Sequence, residues 1–257
     1  MNWTAKIDRA KQHMSELQDE IQFYFDSKPY SVGTKRDPKT KRLIYYVTGV
    51  KVIPEKVNLI SGDIIQNLRS ALDHLAYELF IKESGGTVSG HRVYFPIEKD
   101  AQTYENDKNR KTNGISAEAK LLIDSVKPYK GGSDVLWRIH ELNNLDKHRL
   151  LVTVGSSFGS LDLGAHMHEM MKKSFPGHDF LSIPLFIRPP DILFPLKIGD
   201  ELFSDAPGAE EIPNMQFQFK ILLNEPGIVE GEPVAEALQS MIDEVDKLVP
   251  FFESCTS

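Results

Sequence analysis

The chain has 257 residues, of which 40% are hydrophobic and 26% are charged. This length and composition predict one globular unit with a sizeable core and an ordinary soluble surface. The only cysteine, Cys255, excludes an intramolecular disulfide and a zinc site built from thiolates, and it fits a reducing compartment. The formal charge of −7 argues against broad attraction to nucleic acid, although a local basic patch can act on its own.

The N-terminal segment MNWTAKIDRAKQH is charged from residue 6 onward and has no apolar signal region. No apolar run approaches the ~20 residues that a membrane-spanning helix needs. We therefore expect a cytoplasmic protein without a membrane partner.

The N-terminal third predicts a helix, a hairpin and a second helix. A first helix is indicated by apolar residues at alternating steps of four and three, namely Trp3, Ile7, Ala10, Met14, Leu17, Ile21 and Tyr24. Residues 30–36 and 42–52 flank the turn-forming run DPKT and are rich in strand formers, which predicts a β-hairpin with a basic tip. Pro54 suits the first turn of a second helix that ends near Glu83, before two glycines.

The middle of the chain predicts shorter helices. Residues 98–115 are polar and aperiodic, which is typical of an exposed loop or a short helix. The run SAEAKLLIDSV, 116–126, predicts a helix before Pro128, and Ser133 suits the N-cap of another helix at 134–147.

From Leu150 the hydrophobic period changes to that of strands. The strand-like runs, separated by prolines and glycines, are LLVTV, SLDLGAHM, FLSIPLFI, ILFPLKI and MQFQFKILL. Pro233 then opens a final amphipathic helix with one apolar face, formed by Val234, Leu238, Met241, Val245, Leu248 and Phe252.

The order of helices, strands and one last helix predicts an α+β fold. We expect a helical bundle at 1–149 that carries the hairpin at about 30–52. An antiparallel β region with the C-terminal helix is expected at 150–257, packed with the bundle as one globular unit.

The second predicted helix carries a polar stripe along an otherwise apolar sequence. Asp63, Asn67, Ser70 and His74 are spaced four, three and four apart, and Glu78 continues the stripe. Burying such groups unpaired would cost several kcal/mol each, so they face solvent, pair across a helix interface or line a cavity.

The helix at 134–147 carries a second polar cluster. Within WRIHELNNLDKHRLL, Glu141, Asn144 and His148 share a face, with His140 beside them. A structural alternative is that the basic residues at 147–149 complement the negative end of the helix dipole. That alternative does not explain the neighbouring His140, Glu141 and Asp146.

Arg69 and His74 are separated by four residues, and this spacing resembles the signature of the HEPN superfamily. Many HEPN proteins are helical, metal-independent ribonucleases that act as dimers, in which each subunit contributes an arginine and a histidine. The resemblance implies that Arg69 stabilises phosphate charge and that His74 handles the proton of the ribose hydroxyl or of the leaving group. A forked, permanently charged guanidinium and an imidazole that titrates near neutrality suit those roles.

The candidate catalytic set from the sequence is Arg69, Asp73 and His74, with Asn144 and His148 in support. Five residues of helix rotate by about 140°, so Arg69 and His74 do not share a face, and a joint site needs a long arginine reach or a second subunit. Asp73 also lies at the four-residue spacing of an ion pair with Arg69.

The sequence thus favours a HEPN-like RNA-cleaving or RNA-binding protein, a toxin or defence component, with RNA and a second copy of the chain as partners and no cofactor. The segments NLRSALDHLAYEL and LNNLDKHRLL also resemble a recurrent bacterial protein type, from which no activity follows. The basic residues of the hairpin tip would guide an RNA backbone; they are Lys35, Arg36, Lys39, Lys41 and Arg42.

Two other functions use the same residues. In a metal-dependent helical-bundle enzyme, the ligands would be drawn from Asp63, His74, His140, Glu141 and His148. His166 and His168, alternating on an expected strand, are a second pair of candidate ligands. In a non-catalytic interaction module, the polar residues would form a buried network that fixes helix pairing.

Overall fold

The structure is a computed structural model, and it describes residues 3–85, 93–148, 154–179, 181, 185–187, 193–212 and 215–256. These residues form an α+β fold, as the sequence predicts. The helices are α1 (Thr4–Asp26), α2 (Glu55–Ser84), α3 (Ala101–Lys111), α4 (Ala117–Val126), α5 (Asp134–His148), α6 (Gly164–Ser174), α7 (Val234–Asp246) and α8 (Leu248–Thr256). The strands are β1 (Tyr30–Arg36), β2 (Arg42–Val50), β3 (Val154–Asp162), β4 (Phe186–Ile187), β5 (Glu201–Pro207), β6 (Gln216–Glu225) and β7 (Val229–Pro233).

The chain divides into two compact units that interleave along the sequence. The first, which we call the helical unit, comprises residues 1–21, 55–153 and 224–257. The second, the sheet unit, comprises residues 22–54 and 154–223. The hairpin, expected within the helical part of the chain, groups by its contacts with the strands that follow residue 153.

The helical unit is built around α2, which packs against α5, α7 and α8. The apolar side of α2 is fully buried at Ile64, Leu68, Leu72 and Leu75. The part of α1 in this unit runs antiparallel to α2, because Trp3 N donates to Glu78 Oε1 at 3.1 Å while Glu20 pairs with Lys56 at 2.7 Å. Burial of each leucine or isoleucine contributes about 1.5–3 kcal/mol, so this packing fixes the orientation of α2.

The predicted hairpin is confirmed as β1 and β2, which pair antiparallel. Asp37 closes its turn by accepting hydrogen bonds from the backbone N–H groups of Lys39 and Thr40, at 2.9 and 2.6 Å. Lys41 completes the turn in the left-handed region with φ of 59°. Asp in the first position of such a turn is the side chain that provides these bonds.

The strands form two antiparallel sheets, with strand orders β1-β2-β5 and β4-β3-β6-β7. Strands β1 to β5 and most of β6 belong to the sheet unit, whereas β7 belongs to the helical unit. The core of the sheet unit is formed by Val47, Phe158, Leu161, Leu196 and Leu202.

Several predictions for the second half of the chain are wrong. The end of SLDLGAHM lies in α6, so His166 and His168 are on a helix and not on a strand. Residues 193–198 of ILFPLKI form no strand, since Pro195 cannot donate to a ladder, although Leu196 still joins the core. The final helix is divided into α7 and α8, because Pro250 has no N–H to donate to the carbonyl of Asp246.

Within the part of the chain that the structure describes, no helix combines the length and the apolar character needed to cross a membrane.

Candidate functional site

Arg69 is buried against a short segment without regular secondary structure, residues 93–97, that lies beside α2. Only 7% of Arg69 is exposed. Its Nη2 donates to the carbonyl of Phe95 at 3.2 Å and lies 2.9 Å from Asp73 Oδ1. The same Asp73 oxygen accepts the backbone N–H of Phe95 at 3.1 Å. The ion pair predicted from the four-residue spacing is therefore formed. Its two side chains also bind the backbone carbonyl and the backbone N–H of Phe95.

The charge of Arg69 is compensated within the protein. Burial lowers the pKa of its guanidinium, while the carboxylates of Asp73 and Glu98 act in the opposite direction. A guanidinium remains protonated in proteins under these conditions. Its second terminal nitrogen, Nη1, is buried and has no hydrogen-bond partner among the described residues. Arg69 thus keeps one unused donor, but it lies below the surface and not at it.

His74 lies on a different side of α2, as the helical rotation requires. Its side chain is half-buried, and its Nδ1 is buried without a hydrogen-bond partner in the described part of the chain. Residues at the same side of the helix are half-buried or exposed: Asn67 and Ser70 are half-buried, and Asp63 and Tyr77 are exposed. The polar stripe of α2 is therefore a surface feature, and His74 is one of its partly covered residues.

The remaining stripe residues are mostly engaged in local contacts. Asn67 Nδ2 donates to the backbone carbonyl of Asp63, one turn earlier, at 2.8 Å. Glu78 accepts the backbone N–H of Trp3 from α1. These bonds satisfy the groups and leave His74 as the stripe residue with a buried, unused nitrogen.

The cluster on α5 is only partly described. Asn144 Nδ2 lies 3.1 Å from His140 Nε2, so these two predicted polar residues do contact each other. His148 is the last residue of α5, and its side chain lies outside the described residues. The distance between the His74 and His148 side chains therefore lies outside the described residues.

The two polar helices do touch at Gly62 and Asp146. A Cβ at Gly62 would lie 3.0 Å from Asp146 Oδ1, so glycine allows α5 to approach α2 closely there. Burial raises the pKa of the Asp146 carboxyl, and the negative charge of Asp63 raises it further. Asp63 and Asp146, one acid from each predicted cluster, therefore repel each other near this contact.

Metal binding was one of the functions that the sequence allowed. Among the described residues, no group of three or more His, Cys, Asp or Glu side chains is arranged to hold a metal ion. The close pair Asp63 and Asp146 is accordingly not part of a larger set of ligands within those residues.

Three of the five basic side chains of the hairpin tip form contacts within the protein. Lys35 pairs with Glu201 at 3.0 Å, and Arg36 and Arg42 donate to backbone carbonyls that follow or belong to β5. Lys39 and Lys41 are exposed, and their side chains form no ion pair with any described residue. Only these two lysines of the tip are positioned to meet an anion without breaking an existing contact.

Sequence reasoning missed the 93–97 segment as a partner of Arg69 and Asp73. The apolar run VYFPI was the available signal, because Val93, Phe95, Pro96 and Ile97 are all buried. Its location beside α2 could not be read from the sequence, since a main-chain acceptor leaves no side-chain pattern.

No protein-family model matches the chain, and neither does any curated protein or solved structure. The HEPN resemblance is therefore neither supported nor contradicted by relatives.

Proposed function

We propose that the protein is a metal-independent, HEPN-like RNA-cleaving or RNA-binding protein in which His74 is the central residue. The observation that carries the proposal is the half-buried imidazole of His74, whose Nδ1 has no partner among the described residues, on the partly exposed side of α2. A partly covered imidazole suits proton transfer with a ribose hydroxyl, because imidazole is the side-chain group most often used as a general acid or base.

Arg69 acts in this proposal as a positioning residue. Its contacts with Asp73 and Phe95 fix the 93–97 segment along α2, and its burial separates it from a surface ligand. This differs from the phosphate contact that the family resemblance implies. The charge needed to hold RNA would then come from other cations of the chain.

A homodimer is part of the proposal. The outer face of α2 carries two large exposed apolar side chains, Leu59 and Tyr77, which are 49% and 41% exposed. Both lie on the side of the helix adjacent to His74. Pairing this face with a second copy across a two-fold axis would bury them and bring two His74 side chains towards one another.

The experiment is an RNA degradation assay on the full chain in excess EDTA. We expect cleavage of single-stranded RNA that falls by about 10²–10⁴-fold in His74→Asn, the range for loss of a general acid or base. The matched control is His178→Asn, an exposed histidine in the sheet unit, which leaves cleavage unchanged. Equal cleavage by wild type and His74→Asn, with both folded, contradicts a catalytic His74.

A second function is favoured by the Arg69–Asp73–Phe95 contacts. These bonds form a largely buried network that joins α2 to a neighbouring segment, as expected of a non-catalytic interaction module. Such a module would bind RNA or a second copy without cleaving RNA. This second function would be supported if the wild type does not degrade RNA and if RNA binding persists in His74→Asn.

A further inference from the structure

The sheet unit contains a cavity of about 340 Å³ with aromatic walls. Its lining includes Tyr45 from β2, Phe217 and Phe219 from β6, and Glu211 and Met215 from the connection before β6. Sites for small molecules begin at about 300 Å³ and combine apolar walls with a few polar groups. The cavity is therefore large enough for one planar ring system.

The aromatic walls are held by neighbouring rings. On β6, Phe217 and Phe219 are half-buried, while the residues that alternate with them are exposed on the opposite face. The Phe219 ring stacks on Tyr30 with centroids 4.0 Å apart, and the Phe217 ring lies 5.7 Å from that of Tyr45. Rings fixed in this way offer a preformed surface on which a flat ligand can stack.

Three polar side chains also line the cavity, namely Thr34, Tyr45 and Glu211. Tyr45 is only 3% exposed, and its hydroxyl oxygen accepts the backbone N–H of Ile212 at 2.8 Å. Its hydroxyl hydrogen has no acceptor among the described residues and remains available for donation. Burial raises the pKa of this hydroxyl, and the charges of Glu211 and Asp205 raise it further, so the hydrogen is retained at neutral pH. The Glu211 carboxylate, one residue before Ile212, supplies acceptors beside this donor.

We propose that this cavity binds a nucleobase and that it prefers guanine. The base would stack on the aromatic walls, accept a hydrogen bond from Tyr45 at O6, and donate its N1–H and N2–H groups to Glu211. A carboxylate matches two adjacent donors, which adenine and uracil do not present on this edge. The inference rests on the proposed function for the source of the base, an unpaired residue of RNA; a free nucleoside is the other source.

The test is calorimetric titration of the full chain with guanosine, inosine and uridine. We expect guanosine to bind with a Kd below about 1 mM and at least about tenfold more tightly than uridine. Inosine, which lacks the N2 amino group, should bind more weakly than guanosine. Glu211→Gln should weaken guanosine binding by about tenfold. Glu210 is a neighbouring exposed carboxylate that does not line the cavity, so Glu210→Gln should leave guanosine binding unchanged.

No saturation by guanosine, equal affinity for all three nucleosides, or equal effects of Glu211→Gln and Glu210→Gln would each overturn the proposal. A short RNA with one unpaired guanine, compared with the same RNA carrying uracil there, distinguishes RNA from a free nucleoside as the source. Nucleoside titrations repeated on His74→Asn separate this cavity from the proposed catalytic site. Guanosine binding without any RNA cleavage would support the guanine-binding cavity and would contradict only the proposed catalytic function.

Discussion

At the scale of single residues, the Arg69–Asp73 pair is a structural contact whose loss should be costly. Replacing Asp73 by alanine leaves a buried guanidinium without its 2.9 Å carboxylate and removes the acceptor of the Phe95 N–H. Breaking one partner of a buried pair costs about 3–5 kcal/mol, and because the Asp73 side chain is 26% exposed we expect about 3 kcal/mol. Urea denaturation of Asp73→Ala measures this loss.

The chain offers a matched control for this variant. Asp107 and Arg110 also form an Asp–Arg pair within one helix, at 3.1 Å, but the Arg110 side chain is 70% exposed. Exposed pairs contribute about 0–1 kcal/mol, so Asp107→Ala should be nearly neutral. Similar losses in the two variants would show that burial does not determine the value of the Arg69–Asp73 pair.

The Asp146 carboxyl should make stability depend on pH in an unusual direction. Its pKa is raised in the folded protein by burial and by Asp63, so the folded state binds this proton more readily than the unfolded state does. The group therefore opposes folding above its folded pKa, and the opposition disappears as the pH falls below the unfolded value of about 3.9. Asp146→Asn should be more stable than wild type at pH 7.

The difference between Asp146→Asn and wild type, measured by urea denaturation across the pH range, should shrink towards acid. Taking the difference cancels the contribution of carboxyls such as Asp37 and Asp100, whose pKa values are lowered by local hydrogen bonds. Asp63→Asn should raise the free energy of unfolding at pH 7 by part of the same amount. A variant that is less stable than wild type at neutral pH would contradict the assigned cause.

At the scale of elements, sequence patterns predicted those parts of the fold that local chemistry determines. The bounds of α2 follow Pro54 and Gly85, those of α4 follow Ser116 and Pro128, and the hairpin follows the Asp37 turn. Strands after residue 153 were predicted less well, because β5 is held by pairing with β2, a partner more than 150 residues earlier. Long-range pairing leaves little local pattern.

The hairpin turn gives an element-scale prediction. Lys41 adopts a φ of 59°, a conformation that costs a residue with a Cβ about 1–2 kcal/mol relative to glycine. Lys41→Gly should therefore stabilise the protein, by about 0.5–1 kcal/mol after the greater flexibility of glycine in the unfolded chain is included. Lys39→Gly, in the same turn but without a positive φ, should give no gain. The midpoints of urea denaturation of the two variants, each compared with wild type, test this prediction.

At the scale of the whole molecule, only part of the candidate site could be predicted. The Arg69–Asp73 pair and the separate orientation of His74 follow from helical geometry alone, and both are present. The role of Phe95 as the partner of Arg69 depends on tertiary packing. The aromatic cavity was missed because its walls come from β2 and β6, which lie far apart in the chain.

The net charge of −7 constrains how the protein could bind RNA, since overall attraction is absent and local cations must supply the contacts. Lys39 and Lys41 are exposed and, within the described residues, carry no ion pair, so each can contact a phosphate without a competing bond. Removing two contacts to single-stranded RNA should reduce the slope of log K against log salt concentration by about 1.4. We expect this change for Lys39→Ala/Lys41→Ala in fluorescence-anisotropy titrations, and none for Lys99→Ala/Lys172→Ala, which removes the same charge from exposed lysines elsewhere. Equal slopes in the two double variants would show that RNA does not contact the hairpin tip.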